Sequence, residues 1–132
     1  MTFVDCRQTL VDEHCQTGVE GIFAAGNALH VHDLVDYVSE EAEIAGYGIW
    51  RYLNGLASQY GQHVDGRVKI ETGYGIRYVV PQRISGEEDV ELFFRSDNIY
   101  DNGVVELLHG SRLLASKRFL RIVPGQMERF KI

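Results

Sequence analysis

The sequence predicts an α+β chain: a segment of short strands and one long helix over residues 1–65, followed by a small antiparallel β-sandwich over residues 66–132, with an immunoglobulin-like arrangement as one form of it. Three observations carry this. The hydrophobic period is that of a helix from about residue 39 to 56 and becomes two after about residue 66. Charge is unevenly spread, because residues 1–65 hold ten acids against only Arg7 and Arg51, while the remainder is slightly basic. Turn pairs punctuate the second half at short, regular intervals.

The first segment opens with extended pieces at Thr2-Phe3-Val4 and Thr9-Leu10-Val11. Gly21-Ile22-Phe23-Ala24-Ala25 is a continuous apolar run bounded by glycines, the pattern of a strand buried on both faces of a parallel sheet. A helix is expected from about Ser39 to Leu56, with Ser39 as its cap and Glu40, Glu41 and Glu43 complementing the positive end of its dipole. Ala42, Ala45, Ile49, Leu53 and Leu56 recur at three- or four-residue spacing and are expected to form its buried face. Gly46 and Gly48 each weaken a helix by about 1 kcal/mol relative to alanine, a cost that fits close approach of another backbone.

Residues 55–66 turn polar, which places a boundary there. Strands are expected at Lys69–Glu71, Ile76–Val80, Val90–Arg95, Val104–Leu108, Leu113–Ala115, Phe119–Val123 and Arg129–Ile132. Ser85-Gly86, Asn102-Gly103, His109-Gly110-Ser111 and Pro124-Gly125 are the expected turns. Basic residues scattered through these alternating runs read as a solvated face, and without a basic stripe nucleic acid is not an expected partner.

No apolar run approaches the roughly 20 residues of a membrane-spanning helix, and no basic region followed by an apolar core opens the chain, so the expected compartment is the cytoplasm. Cys6 and Cys15 are too few for a disulfide framework and lack redox-pair spacing; acidic neighbours Asp12 and Glu13 are expected to raise the pKa of Cys15. His30-x-His32, with His14, Cys15 and Asp36 near in sequence, contains zinc-type donors, but this spacing alone is no zinc signature and no metal site is expected. Trp50 and Tyr52 read as packing residues.

The run Thr17-Gly18-Val19-Glu20-Gly21-Ile22-Phe23-Ala24-Ala25-Gly26-Asn27 resembles the last flavin-contacting motif of the pyridine nucleotide-disulfide oxidoreductase superfamily: a threonine, a glycine turn, an aliphatic-aromatic strand, then Ala-x-Gly-Asp and a helix. Asn27 stands where the family has the aspartate that hydrogen-bonds the flavin's ribityl chain. The longer run Gly26 to Glu41 is similar to a subgroup related to the sarcosine oxidase alpha subunit and to proteins that accompany anaerobic glycerol-3-phosphate dehydrogenases, in which asparagine is familiar at this position. The stretches Tyr78 to Ile84 and Pro124 to Glu128 resemble the C-terminal extension of those proteins.

This resemblance implies the C-terminal part of an FAD-dependent oxidoreductase linked to a pyridine nucleotide, with Gly26 and Asn27 at the flavin, His30 or His32 close to it as a hydrogen-bond donor or proton shuttle, and Asp36 and Tyr37 near the helix entrance that approaches the isoalloxazine ring. No catalytic residue is assigned. The glycine-rich phosphate turn for FAD is absent; Gly73-Tyr74-Gly75 is the nearest match and leads into a strand. One edge of a flavin site, inactive alone, is therefore expected, with the remainder of the flavin enzyme or a partner subunit, or further copies of the chain, as partners. The alternative is a non-catalytic docking or oligomerisation module.

Overall fold

The computed structural model describes residues 9–56 and 68–132, in one α-helix and several small antiparallel sheets. The expected strand at Thr2-Phe3-Val4, Cys6 and most of the polar boundary stretch lie outside the described residues. The fold is a mixed α+β one that divides into two compact units. The first comprises Met1–Lys69 with Pro81–Gly86, the second Ile70–Val80 with Glu87–Ile132, so the segment 81–86 joins the helical unit across the expected boundary.

In the first unit, Asp12 organises the start of the described chain: its Oδ1 accepts from the backbone N–H of His14 at 2.7 Å and of Gln16 at 3.0 Å, an Asx-type turn. Val11 is almost fully buried and exchanges hydrogen bonds with Gln82, through the side-chain Oε1 at 3.0 Å and the Gln82 backbone N–H at 3.2 Å. β1 (Val68–Lys69) pairs antiparallel with β3 (Arg83–Ile84), a strand absent from the sequence-based expectation because two residues carry no readable period.

The run Gly21 to Ala25 is not the doubly buried strand expected. It makes a single bridge, Gln16 to Phe23, while Gly21 and Ile22 are exposed. Here the chain folds back on itself, with the Thr17 N–H bonded to the Ile22 carbonyl at 2.8 Å, and no parallel neighbour is provided among the described residues. Thr9–Val11 is likewise reduced to a bridge at Val11.

Helix α1 spans Val35–Leu53 and begins four residues earlier than expected. Ser39 is therefore inside it, its hydroxyl directed at the Val35 carbonyl at 3.4 Å, and Leu34 occupies the cap without a side-chain hydrogen bond. Asp36, not the glutamate cluster, is the acid in the first turn. The buried face also differs: Glu41, Ala45 and Gly48 line it, whereas Ala42, Ile49 and Leu53 are exposed. Space decides this. A β-carbon at Gly48 would overlap the His14 carbonyl oxygen and sit 3.1 Å from the Phe23 ring, so the helix is seated there because the glycine lets backbone in; Gly46 faces open space.

The second unit is antiparallel throughout. β2 (Ile76–Val80), β4 (Glu91–Ser96) and β7 (Glu128–Lys131) form a three-stranded sheet with β4 central, and Val90 and Ile132 extend its edge by exchanging backbone hydrogen bonds at 3.0 and 2.9 Å. β5 (Tyr100–His109) and β6 (Arg112–Ile122) form a long hairpin. Its base packs on the sheet, where Phe119 meets Phe94 edge-to-face at 5.9 Å within a core that also holds Val79, Leu92, Ile122, Met127 and Phe130.

Two expected features are absent from that hairpin. Asn102-Gly103 is no turn: Asn102 adopts a left-handed φ of 53° inside β5, tolerable for asparagine, while Asp101 and Gly103 on either side keep their partners on β6. Leu113–Ala115 and Phe119–Val123 are not separate strands, since Ser116 and Lys117 continue the ladder between them. The reversal falls at His109-Gly110-Ser111, where Gly110 takes a φ of 61°. In Gly73-Tyr74-Gly75, Gly75 has a φ of 81° and a β-carbon there would come within 3.2 Å of the Tyr100 ring, and the turn feeds β2.

Candidate functional site

The residues singled out from the sequence sit on a 3₁₀ turn (Gly26–Ala28), the loop after it and the first turns of α1. Gly26 has a φ of 67°, a left-handed backbone that reverses the chain at the end of the Ala24-Ala25 segment. The turn is anchored from below by the helix. Glu41, on the second turn of α1, points inward and accepts the Gly26 N–H on Oε2 at 2.5 Å.

The same carboxylate collects both histidines. His30 Nε2 lies 2.7 Å from Oε1 and His32 Nε2 lies 3.0 Å from Oε2, with the two rings edge-to-face at 4.3 Å between centroids. Both imidazoles are fully buried as side chains and Glu41 is 3% exposed. A His-x-His pair on an extended loop would normally aim its rings the same way along one face, and here the loop uses that property to clasp one acid. Burial pushes the Glu41 carboxyl up, but hydrogen bonds from His30 and His32, the charge interaction with His30 and the Gly26 N–H outweigh it and hold the group below the usual carboxylate range.

Cys15 underlies the same region, its Sγ 4.0 Å from the Glu41 backbone carbonyl. Its thiol is pushed up to about 12, first by burial and then by the Glu41 charge, not by the flanking Asp12 and Glu13 expected from the sequence. Cys15 is in a left-handed conformation, φ 64°, and the N–H of Ala24 bonds its carbonyl at 3.0 Å.

Of the six residues assigned to the flavin edge, the structure gathers Gly26, His30 and His32 around Glu41. Asn27 and Asp36 are exposed and Tyr37 is half-buried, and Asp36 is not among the donors grouped with Glu41. His30 and His32 turn toward Glu41 and away from solvent, so in this arrangement they brace the turn that carries Gly26. His14 packs edge-to-face on Tyr47, and neither it nor Cys15 nor Asp36 is one of the donors grouped with His30, His32 and Glu41.

Glu41 is the residue that sequence reasoning misassigned. A usable signal existed: Glu41, Ala45 and Gly48 follow at i, i+4 and i+7, and an acid in line with two small residues marks the tightly packed face. Trp50 stacks on Tyr47 at 5.8 Å, both about half exposed, and Tyr52 lies edge-to-face with Phe23 at 6.2 Å. Among the described residues no helix is long and apolar enough to cross a membrane. No protein-family model, curated protein or solved structure matches the chain.

Proposed function

We propose that this chain is the C-terminal part of an FAD-dependent oxidoreductase linked to a pyridine nucleotide, contributing one edge of the flavin site and a β-sandwich extension, and inactive by itself. The observation that carries the reading is the clamped turn: Gly26, in a left-handed conformation and bonded to Glu41, presents the exposed Asn27 at the point where the motif has a ribityl-binding residue. Backbone held this firmly limits the entropy lost when a ligand hydroxyl is bound. Gly26 and Asn27 fit the task of holding a flavin, with Asp36 exposed nearby in the sequence; the flavin itself supplies the hydride and electron chemistry.

Apolar exposure supports an incomplete flavin domain. Ile22, Val31, Val35, Tyr47 and Leu53 are all more than half exposed on the helical unit, as expected where a sheet is missing. The test is isolation of the native assembly containing the chain, with its flavin content read by absorption. About one FAD per copy is expected, and Asn27→Ala should weaken flavin binding about 3- to 10-fold, the worth of one neutral hydrogen bond. An assembly free of flavin, or one whose flavin affinity ignores Asn27, overturns the reading.

A second reading, a docking or oligomerisation module, is favoured by one feature of the second unit. The β5–β6 ribbon leaves Val104, Leu108, Leu113 and Leu114 each about half exposed, and a two-stranded ribbon is marginal in water without a further surface to cover it.

A further inference from the structure

We propose that His30, His32 and Glu41 form a binding site for a divalent transition-metal ion of the zinc class, one imidazole nitrogen from each histidine and a carboxylate oxygen serving as ligands. One donor atom from each of the three side chains lies within 4.8 Å of the others, and the group brings a loop and a helix together. The site does not depend on the flavin reading.

Two imidazoles and one carboxylate are a three-ligand set that zinc accepts while keeping a further position open. The set also selects against competitors: without thiolate it is unsuited to Cu(I), and with two nitrogens it is unsuited to magnesium or calcium. Cys15 does not change this, because its buried thiol is pushed up to about 12 and remains protonated, and it is no part of the group.

The distances favour a small rearrangement. Zinc bonds of about 2.0–2.1 Å in a tetrahedral site put neighbouring ligand atoms about 3.3 Å apart. The histidine nitrogens now lie 2.7 and 3.0 Å from the two different Glu41 oxygens, and one donor atom of each side chain lies within 4.8 Å of the others, so the rings would draw back from the carboxylate and converge on the ion. The ion would take the place of the hydrogen-bond protons between imidazole and carboxylate, each neutral ring carrying its proton on the other nitrogen. Glu41 is also oriented as metal-bound carboxylates are, by a donor outside the ligand set, the Gly26 N–H on Oε2.

The experiment uses the full chain stripped of metal, with Co2+ alone as the spectroscopic probe and Zn2+ as competitor. One Co2+ per chain is expected, with the intense visible bands of low coordination number, displaced by Zn2+ and retained in Cys15→Ser. His30→Gln with His32→Gln should cost more than the roughly 10- to 100-fold that loss of a mere outer partner costs. X-ray absorption of the Zn2+-loaded wild-type chain, which does not depend on the variants folding, should show two imidazoles. Overturning results are a wild-type chain that takes up no more metal than the double variant, or a zinc spectrum lacking imidazole scattering, either of which leaves the cluster as a proton-bonded clamp only.

Discussion

Alanine substitution at two glycines two residues apart in α1 should give opposite results. Intrinsic helix propensity favours alanine over glycine by about 1 kcal/mol at either position. At Gly46 a β-carbon meets nothing within 4 Å, so Gly46→Ala should realise that gain. At Gly48 the same carbon would overlap the His14 carbonyl oxygen and lie 3.0 Å from the His14 β-carbon and 3.1 Å from the Phe23 ring. Backbone cannot swing aside as a long side chain can, and overpacking of this kind costs about 3 kcal/mol at the upper end of its usual range. Subtracting the propensity gain leaves Gly48→Ala about 2 kcal/mol less stable. With roughly 4 °C per kcal/mol for a domain of this size, the melting temperature should rise about 4 °C in the first variant and fall about 8 °C in the second. Thermal unfolding followed by circular dichroism in the helical band reads both. Equal melting temperatures for the two variants would refute the seating of the helix on His14 and Phe23.

Other expectations follow from the same unit and from the hairpin. Because the Glu41 carboxyl is held below its ordinary range in the folded chain, the unfolded chain binds more protons there, and metal-free protein should lose stability as pH falls from the ordinary carboxylate range downward. Denaturant titrations across that range should show a shallower slope in Glu41→Gln; an unchanged slope would remove Glu41 as the cause. Glu41→Ala should be the more damaging variant, by about 3–5 kcal/mol, since it removes the carboxylate that meets two buried imidazoles and the Gly26 N–H, and native-like denaturant stability in that variant would contradict the clamp. Cys15, with its thiol raised to about 12, should resist a thiol reagent at neutral pH until the chain unfolds, as read by site-resolved mass spectrometry; rapid labelling of the native chain would contradict its burial. Leu108→Lys with Leu114→Lys should reduce self-association in light scattering, and a wild-type chain that stays monomeric at high concentration would argue against the ribbon as an adhesive surface.

The existence of one amphipathic helix, the antiparallel character of the second half and the reversals at His109-Gly110-Ser111 and Pro124-Gly125 were all legible in the sequence, because period and turn chemistry act over a few residues. Gly26 was legible for the same reason: a glycine closing an apolar run points to a backbone reversal, and its φ is positive. What escaped were decisions made by distant partners. The apolar residues Ile49 and Leu53 satisfy the helical period as well as Glu41 and Ala45 do, and only the His14 carbonyl over Gly48 and the histidine pair over Glu41 select which line faces inward. Val11 acquires its pairing from Gln82, 71 residues away, and the two-residue β3 exists because β1 and the start of the described chain meet it. The sequence by itself determined the one helix and the antiparallel character of the second half; the tertiary structure decided that a glutamate, two histidines and a glycine amide meet in one buried cluster, since a carboxylate goes inside only where its donors are already waiting.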